Sequence, residues 1–134
     1  MFTYLQPLAR ALLALIFLIS GFFKIVGFNQ TAEMMASTGI PAPKVALVVA
    51  LVIELVCGLA LLLGYKTRAA ALLLALYMIP VTLTIHAPHM FDPGQAGQDQ
   101  MFHVLKNVAI MGGLLKFFTD GGGAYSLDAK NFTP

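Results

Sequence analysis

Charge is what this chain has least of. Asp, Glu, Lys and Arg make up only 10% of its 134 residues, while 59% are hydrophobic. A soluble globular domain carries about 25% charged residues, so this surface cannot mostly face water. The eight Lys and Arg are scattered and the net charge is +2, which leaves no basic patch for nucleic acid. Cysteine is nearly absent too. The single Cys57 excludes an internal disulfide and any CxxC redox or zinc motif within the chain. Set among apolar residues, it reads as a small buried hydrophobe. The chain also lacks a repeat of solenoid period, a low-complexity tract, and any flavin, NAD or haem motif. Its length fits a single domain, residues 1–134.

What is there instead is four apolar segments: Leu8 to Phe28, Lys44 to Leu63, Arg68 to His86 and Gln100 to Phe118. Each is about 19 to 21 residues long, enough for an α-helix to cross roughly 30 Å of hydrocarbon. Their Leu- and Ala-rich composition favours helix over strand. The first segment has the length of a signal peptide. No A-x-A-like site follows it, however, and three more spans come after, so it is read as retained. The expected fold is all-α: a four-transmembrane-helix antiparallel bundle with a short interfacial helix between helices 1 and 2.

The connections support that reading. Gly64-Tyr65-Lys66-Thr67 is short enough to force an antiparallel hairpin. The stretch from Asn29 to Thr38 is long enough for a short helix, with Asn29 as N-cap and Gly39, Pro41 and Pro43 as the stop. Phe28, Ala32, Met35 and Ala36 would form its apolar stripe and lay it in the membrane interface. Ala87 to Asp99 reads as a loop, and the tail from Thr119 as short and polar. Arg10, Lys66, Arg68, Lys116 and Lys130 gather at one end; Lys24 and Lys44, with Glu33, Asp92 and Asp99, gather at the other. By the positive-inside bias, both termini are expected in the cytoplasm.

A carboxylate at the centre of a membrane helix costs a few kcal/mol or more, so Glu54 should have a partner or a task. Cys57 and Gly58 share its side of the helix, and close packing at Gly58 would turn Glu54 into the bundle. Arg10 and Lys24 share a face about four turns and ~21 Å apart. Either could snorkel to headgroups, although Ser20-Gly21 beside Lys24 points to helix contact. Thr82 and His86 lie one turn apart, just after a kink expected at Pro80. His103, Lys106 and Asn107 form one polar face. Alternating topology places Lys24, His86, His103, Lys106 and Asn107 in the outer half of the membrane, with Glu54 between them and the midplane. A salt bridge from Glu54 to Lys24 or Lys106 would relieve its burial. The plainer alternative is that these groups only hold the bundle together. Their number favours a working pocket, and imidazoles suit proton transfer. His86, His89 and His103 make a poor metal set, since Pro88 interrupts the first pair at a helix end. A haem between His86 and His103 is possible in a bundle, but nothing demands it.

The ordered set Arg10, Ser20-Gly21-x-x-Lys24, Gly39-Ile40-Pro41, Glu54-x-x-x-Gly58, Gly64-Tyr65-x-Thr67-Arg68, His86 and Met101-Phe102-x-x-x-Lys106-Asn107 spans nearly the whole chain. Gly112-Gly113 and Gly123-Ala124-Tyr125-Ser126 continue it. In these residues the chain resembles the DoxX family of small four-helix integral membrane proteins, and within it the bacterial inner-membrane members regarded as oxidoreductases. The family takes its name from a membrane subunit associated with archaeal thiosulfate:quinone oxidoreduction, and other members are linked to membrane complexes handling thiol and oxidative stress. The resemblance implies a functional set of Arg10, Lys24, Glu54, His86, Lys106 and Asn107; His103 matches less well.

The leading expectation is therefore a membrane oxidoreductase component that meets quinone, or a thiol or sulfur redox partner, in the outer half of the bundle. Glu54, His86 and Lys106 would be its catalytic groups, and Arg10, Lys24, His103 and Asn107 its substrate-binding groups. No metal is expected. Electrons would come from a redox protein partner or from the substrate, with a second copy of the chain as another possible neighbour. Two other classes stand beside it: a non-catalytic scaffold or assembly factor, and a proton-coupled carrier in which Arg10 and Lys24 attract a small anion. Four helices are few for a carrier unless it dimerises.

Overall fold

The computed structural model describes residues 2–131, and among these there is no strand. Its helices are α1 (Leu5–Val26), α2 (Phe28–Ser37), α3 (Pro43–Leu63), α4 (Thr67–His89), α5 (Gln95–Asp120) and α6 (Leu127–Asn131). Four of them, α1, α3, α4 and α5, are long and apolar enough to cross a membrane, so the protein is a four-helix membrane bundle in a lipid environment.

Small residues let the helices approach. A Cβ on Gly21 of α1 would lie 2.7 Å from Leu55 Cδ2, and one on Gly58 of α3 would lie 3.3 Å from Phe17 Cβ. The α1–α3 contact thus depends on both glycines, as small-residue packing in membranes predicts. Around it the core gathers Ala14, Phe17, Leu61, Ala71, Leu74 and Leu114, with Cys57 buried among them. Helix α5 is the least covered of the four spans and packs mainly on α4.

The short helix forms as expected but is built differently. Gly27 stands at its N-terminus without any side-chain cap, and Asn29 lies inside the helix rather than capping it. Ala32 and Met35 are buried against Leu47 of α3, with Phe28 and Ile40 alongside, while Ala36 is exposed. Much of the predicted stripe therefore packs on protein.

The third connection is a correction. The helix of α4 continues through a tight turn at Ala87–His89, and α5 begins at Gln95 instead of Gln100. Gly97 looked like a loop residue; a Cβ there would collide with the Asp92 carbonyl. Its glycine serves the close approach of that carbonyl to the helix.

The tail after α5 folds back over the end of the bundle where α1 begins and α5 ends. Arg10 is 1% exposed, and its Nη2 donates to the carbonyls of Tyr125 (2.7 Å) and Ala124 (3.3 Å). Asp128 accepts from the backbone N–H groups of Lys66 (2.7 Å) and Thr67 (2.9 Å). These donors open α4 and have no partner within the helix, so a distant carboxylate supplies the missing cap. Burial pushes the Asp128 carboxyl up, but the hydrogen bonds from Thr67 and Lys66 and the nearby Arg10 charge outweigh it and hold it below its ordinary value. Tyr125 stacks on Tyr4 with ring centroids 5.4 Å apart.

Candidate functional site

The site forms where two helices depart from α-geometry. Helix α3 contains a π-helical turn at Ile53–Cys57, and α4 contains one at Thr82–His86, where the Ala87 N–H reaches back to the Thr82 carbonyl. Glu54 lies in the first turn; Thr82 and His86 lie in the second. Such turns insert a residue into the helix and re-aim the side chains around it, and they recur at functional sites. Pro80, two residues before the second, has no N–H to bond back along the helix. A kink is expected at Pro80; what the structure shows just after it is a π-turn.

Glu54 is 3% exposed. Its Oε1 receives Lys24 Nζ at 2.8 Å, Tyr77 Oη at 2.7 Å and Ser20 Oγ at 3.5 Å. Lys24 Nζ also donates to Ser20 Oγ at 2.7 Å. Every donor converges on one carboxylate oxygen, and the buried Oε2 has no hydrogen-bond partner. A buried carboxylate oxygen left without a donor is costly, and it has unused capacity for a ligand hydroxyl or a water.

Glu54, Lys24 and Tyr77 line a cavity of about 120 Å³ together with Ser20, His86, Lys106 and Asn107, and Ile16, Phe17 and Ile110 supply apolar wall. Asn107 is buried and donates to Thr82 Oγ1 at 3.0 Å. His86 Nδ1 lies 2.7 Å from Gln100 Oε1, and its ring stacks on His103 with centroids 4.7 Å apart. His89 turns away to Asp92 Oδ2 at 3.1 Å. A second, largely apolar groove of about 470 Å³ runs beneath α2, lined by Met34, Met35, Ile40, Ala46, Ala50 and Ile85 among others. Lys24, Tyr77, Val81 and His86 line both spaces.

Of the expected residues, the structure brings Lys24, Glu54, His86, Lys106 and Asn107 to one cavity. His103 sits outside it, stacked on His86. The expected salt bridge from Glu54 is present and falls to Lys24, while Lys106 lines the cavity with its ammonium on His103 Nδ1 at 3.3 Å. One expectation needs correction. Arg10 belongs to the opposite end, where it holds the tail rather than joining the cluster or snorkelling. Sequence reasoning missed Tyr77 and Gln100. Tyr77 had a signal: it is the one tyrosine well inside an apolar span, and a buried Tyr hydroxyl needs a partner. Gln100 had none, being polar and next to a presumed loop.

At the termini end, a separate hollow of about 620 Å³ is lined by Lys66, Arg68, Asp120 and Asp128. Of these charges Asp128 makes the tail contact and Asp120 pairs with Lys116, whereas the Glu54 cavity holds a buried ion pair within the spans.

The DoxX family model matches residues 5–87, which carry Arg10, Lys24, Glu54, Tyr77 and His86. The chain is 38% identical over 124 residues to the inner membrane protein YphA of Escherichia coli (strain K12), covering 92% of this chain and 87% of that one. It is 34% identical over 120 residues to the inner membrane protein YqjF of the same organism, covering 90% and 86%. No solved structure matches it. On the strength of the family match and both relatives, this chain belongs to the DoxX family.

Proposed function

We propose that this protein is a multi-pass component of the bacterial inner membrane that binds a lipid-soluble quinone and exchanges protons with it at Glu54, within a redox system whose electrons come from a partner protein. The observation that carries this reading is that Tyr77, Lys24 and His86 line both an apolar groove and a small polar cavity. The cavity alone is small for an organic ligand, since such sites occupy about 300–1,000 Å³. Joined to the groove, it suits an amphiphile with a polar ring and an apolar tail.

The residues fit such a group. Lys24 and Asn107 keep N–H donors beyond those used on Glu54, Ser20 and Thr82, as carbonyl oxygens require, and Tyr77 would offer its single O–H by turning it from Glu54. Protonated at its free Oε2, Glu54 would pass that proton to the reduced oxygen of the bound quinone as the partner's electrons arrive, and Lys24 stabilises the carboxylate left behind. Apolar walls at Ile16, Phe17 and Ile110 keep bulk water out and strengthen each of these contacts.

Membrane residence follows the names of the relatives. Both termini are assigned to the cytoplasm because Lys66, Arg68 and Lys116 lie at the end that holds them. The test is direct: purify the full chain, analyse extracted small molecules by mass spectrometry, and titrate decylubiquinone by calorimetry. Saturable binding weakened at least tenfold by Tyr77→Phe is expected. A wild-type protein that carries no quinone and binds none saturably sinks the proposal.

A further inference from the structure

Two imidazoles, one lining the cavity and one outside it, are given no proton-transfer task by quinone binding. His86 lines the cavity. The Gln100 Oε1 that it meets can only accept, so His86 donates from Nδ1 and keeps Nε2 free as an acceptor. Lys106 meets His103 at Nδ1, and an ammonium can only donate, so neutral His103 carries its proton on Nε2. The two rings are stacked, 22° from parallel. His103 is exposed and shares its surface with Asp99 and Lys106. His86 lies in the last turns of α4 and Gln100 in the first turns of α5, so the pair bridges the buried cavity and the loop end of the bundle.

We propose that His86 and His103 form the proton route between the Glu54 cavity and water at the loop end, with Gln100 and Lys106 setting their tautomers. This deepens the reading above and rests on Glu54 being a proton-exchanging centre. Facing the pair are Lys24 from α1, Glu54 from α3, Tyr77 from α4, and Asp99 and Lys106 from α5. Water protonates His103 at Nδ1 once Lys106 swings off it; as the rings turn, the Nε2–H bond of His103 breaks while an N–H bond forms at His86 Nε2, and His86 gives that proton up to the Glu54 cavity. His103 then regains its starting tautomer by exchange with water. Only N–H and O–H bonds form and break, and no electrons move.

The experiment is time-resolved infrared spectroscopy on the full chain in detergent, with protons released by a flash from a caged acid. The wild type should show an imidazole signal followed by a carboxylic-acid band that Glu54→Gln abolishes. His103→Ala, at an exposed position that leaves the fold intact, should slow that band by roughly a hundredfold, as expected for loss of a positioned proton-transfer group. Added free imidazole should restore it. An unchanged rise in His103→Ala or His86→Ala overturns the route, as does a slowed rise that imidazole fails to rescue. A wild type in which no proton reaches Glu54 also overturns it. Decylubiquinone is titrated separately; failure to bind sinks the quinone reading alone, because the infrared measurement contains no quinone.

Discussion

Lys24 Nζ and Glu54 Oε1 lie 2.8 Å apart although they come from different helices thirty positions apart in sequence. The carboxylate is almost fully buried and the lysine side chain is 25% exposed, so neither charge is well served by water. Breaking such a pair from one side leaves an uncompensated charge, while removing both is far milder. Lys24→Met should therefore destabilise the bundle by about 3–5 kcal/mol, measured by denaturant unfolding in detergent. The Lys24→Met/Glu54→Gln double variant should recover at least about 1 kcal/mol relative to the sum of the single changes. Strict additivity would mean that the two side chains are not coupled.

Tyr77 tests the junction of groove and cavity. Its hydroxyl donates to a charged oxygen, a bond worth about 1.5–3 kcal/mol, and its ring lines both spaces. Tyr77→Phe should lower stability by no more than that amount and cut quinone affinity at least about tenfold, the equivalent of 1.4 kcal/mol. Calorimetric titration beside unfolding curves separates the two effects. Affinity equal to wild type would remove Tyr77 from the binding site.

Arg10 should behave as a structural residue of the other end. Its guanidinium holds two tail carbonyls, so Arg10→Leu should release the tail. Hydrogen exchange of the backbone amides at Ala124 and Asp128 would rise, with quinone affinity unchanged. Loss of affinity with a protected tail would contradict this division of labour.

Asp128 gives the fold an acid limit. Its folded-state pKa lies below the ordinary value, so the unfolded chain binds its proton more tightly than the folded one does. The stabilisation it contributes is fully present above about pH 4, the ordinary aspartate range, and is lost as the pH falls through the lower folded value. Melting temperature followed against pH should show an acid limb in the wild type that Asp128→Asn reduces. Asp128→Ala should cost about 1 kcal/mol at neutral pH, in line with loss of a helix cap. A limb of equal depth in Asp128→Asn would assign the acid sensitivity elsewhere.

The glycines of the α1–α3 contact offer a packing test. A Cβ at Gly58 would meet Phe17 Cβ at 3.3 Å and Leu18 Cδ2 at 3.2 Å. Gly58→Leu should overpack this contact and cost about 1–3 kcal/mol or more, read by unfolding in detergent. Gly112, where a Cβ would meet nothing within 4 Å, should accept alanine without loss.

The sequence by itself determined the class and the frame. Apolar segments of membrane-spanning length leave the backbone no option in lipid but helix, because every N–H and C=O must be satisfied internally. Loop lengths then set the antiparallel order, and the cost of a lone carboxylate marked Glu54 as a residue needing company. Tertiary structure decided which company it keeps. Lys24 and Lys106 were equal candidates by depth, but depth says nothing about how each helix is rotated. The π-turns at Ile53–Cys57 and Thr82–His86 change that rotation within a single turn and leave no trace in hydrophobic period. They accompany an arrangement in which Lys24 and Tyr77 reach one oxygen of Glu54 while Lys106 turns to His103. Arg10 and the tail were hidden for a related reason: a contact across 115 positions depends on where a chain end returns in space, which no local pattern of residues records.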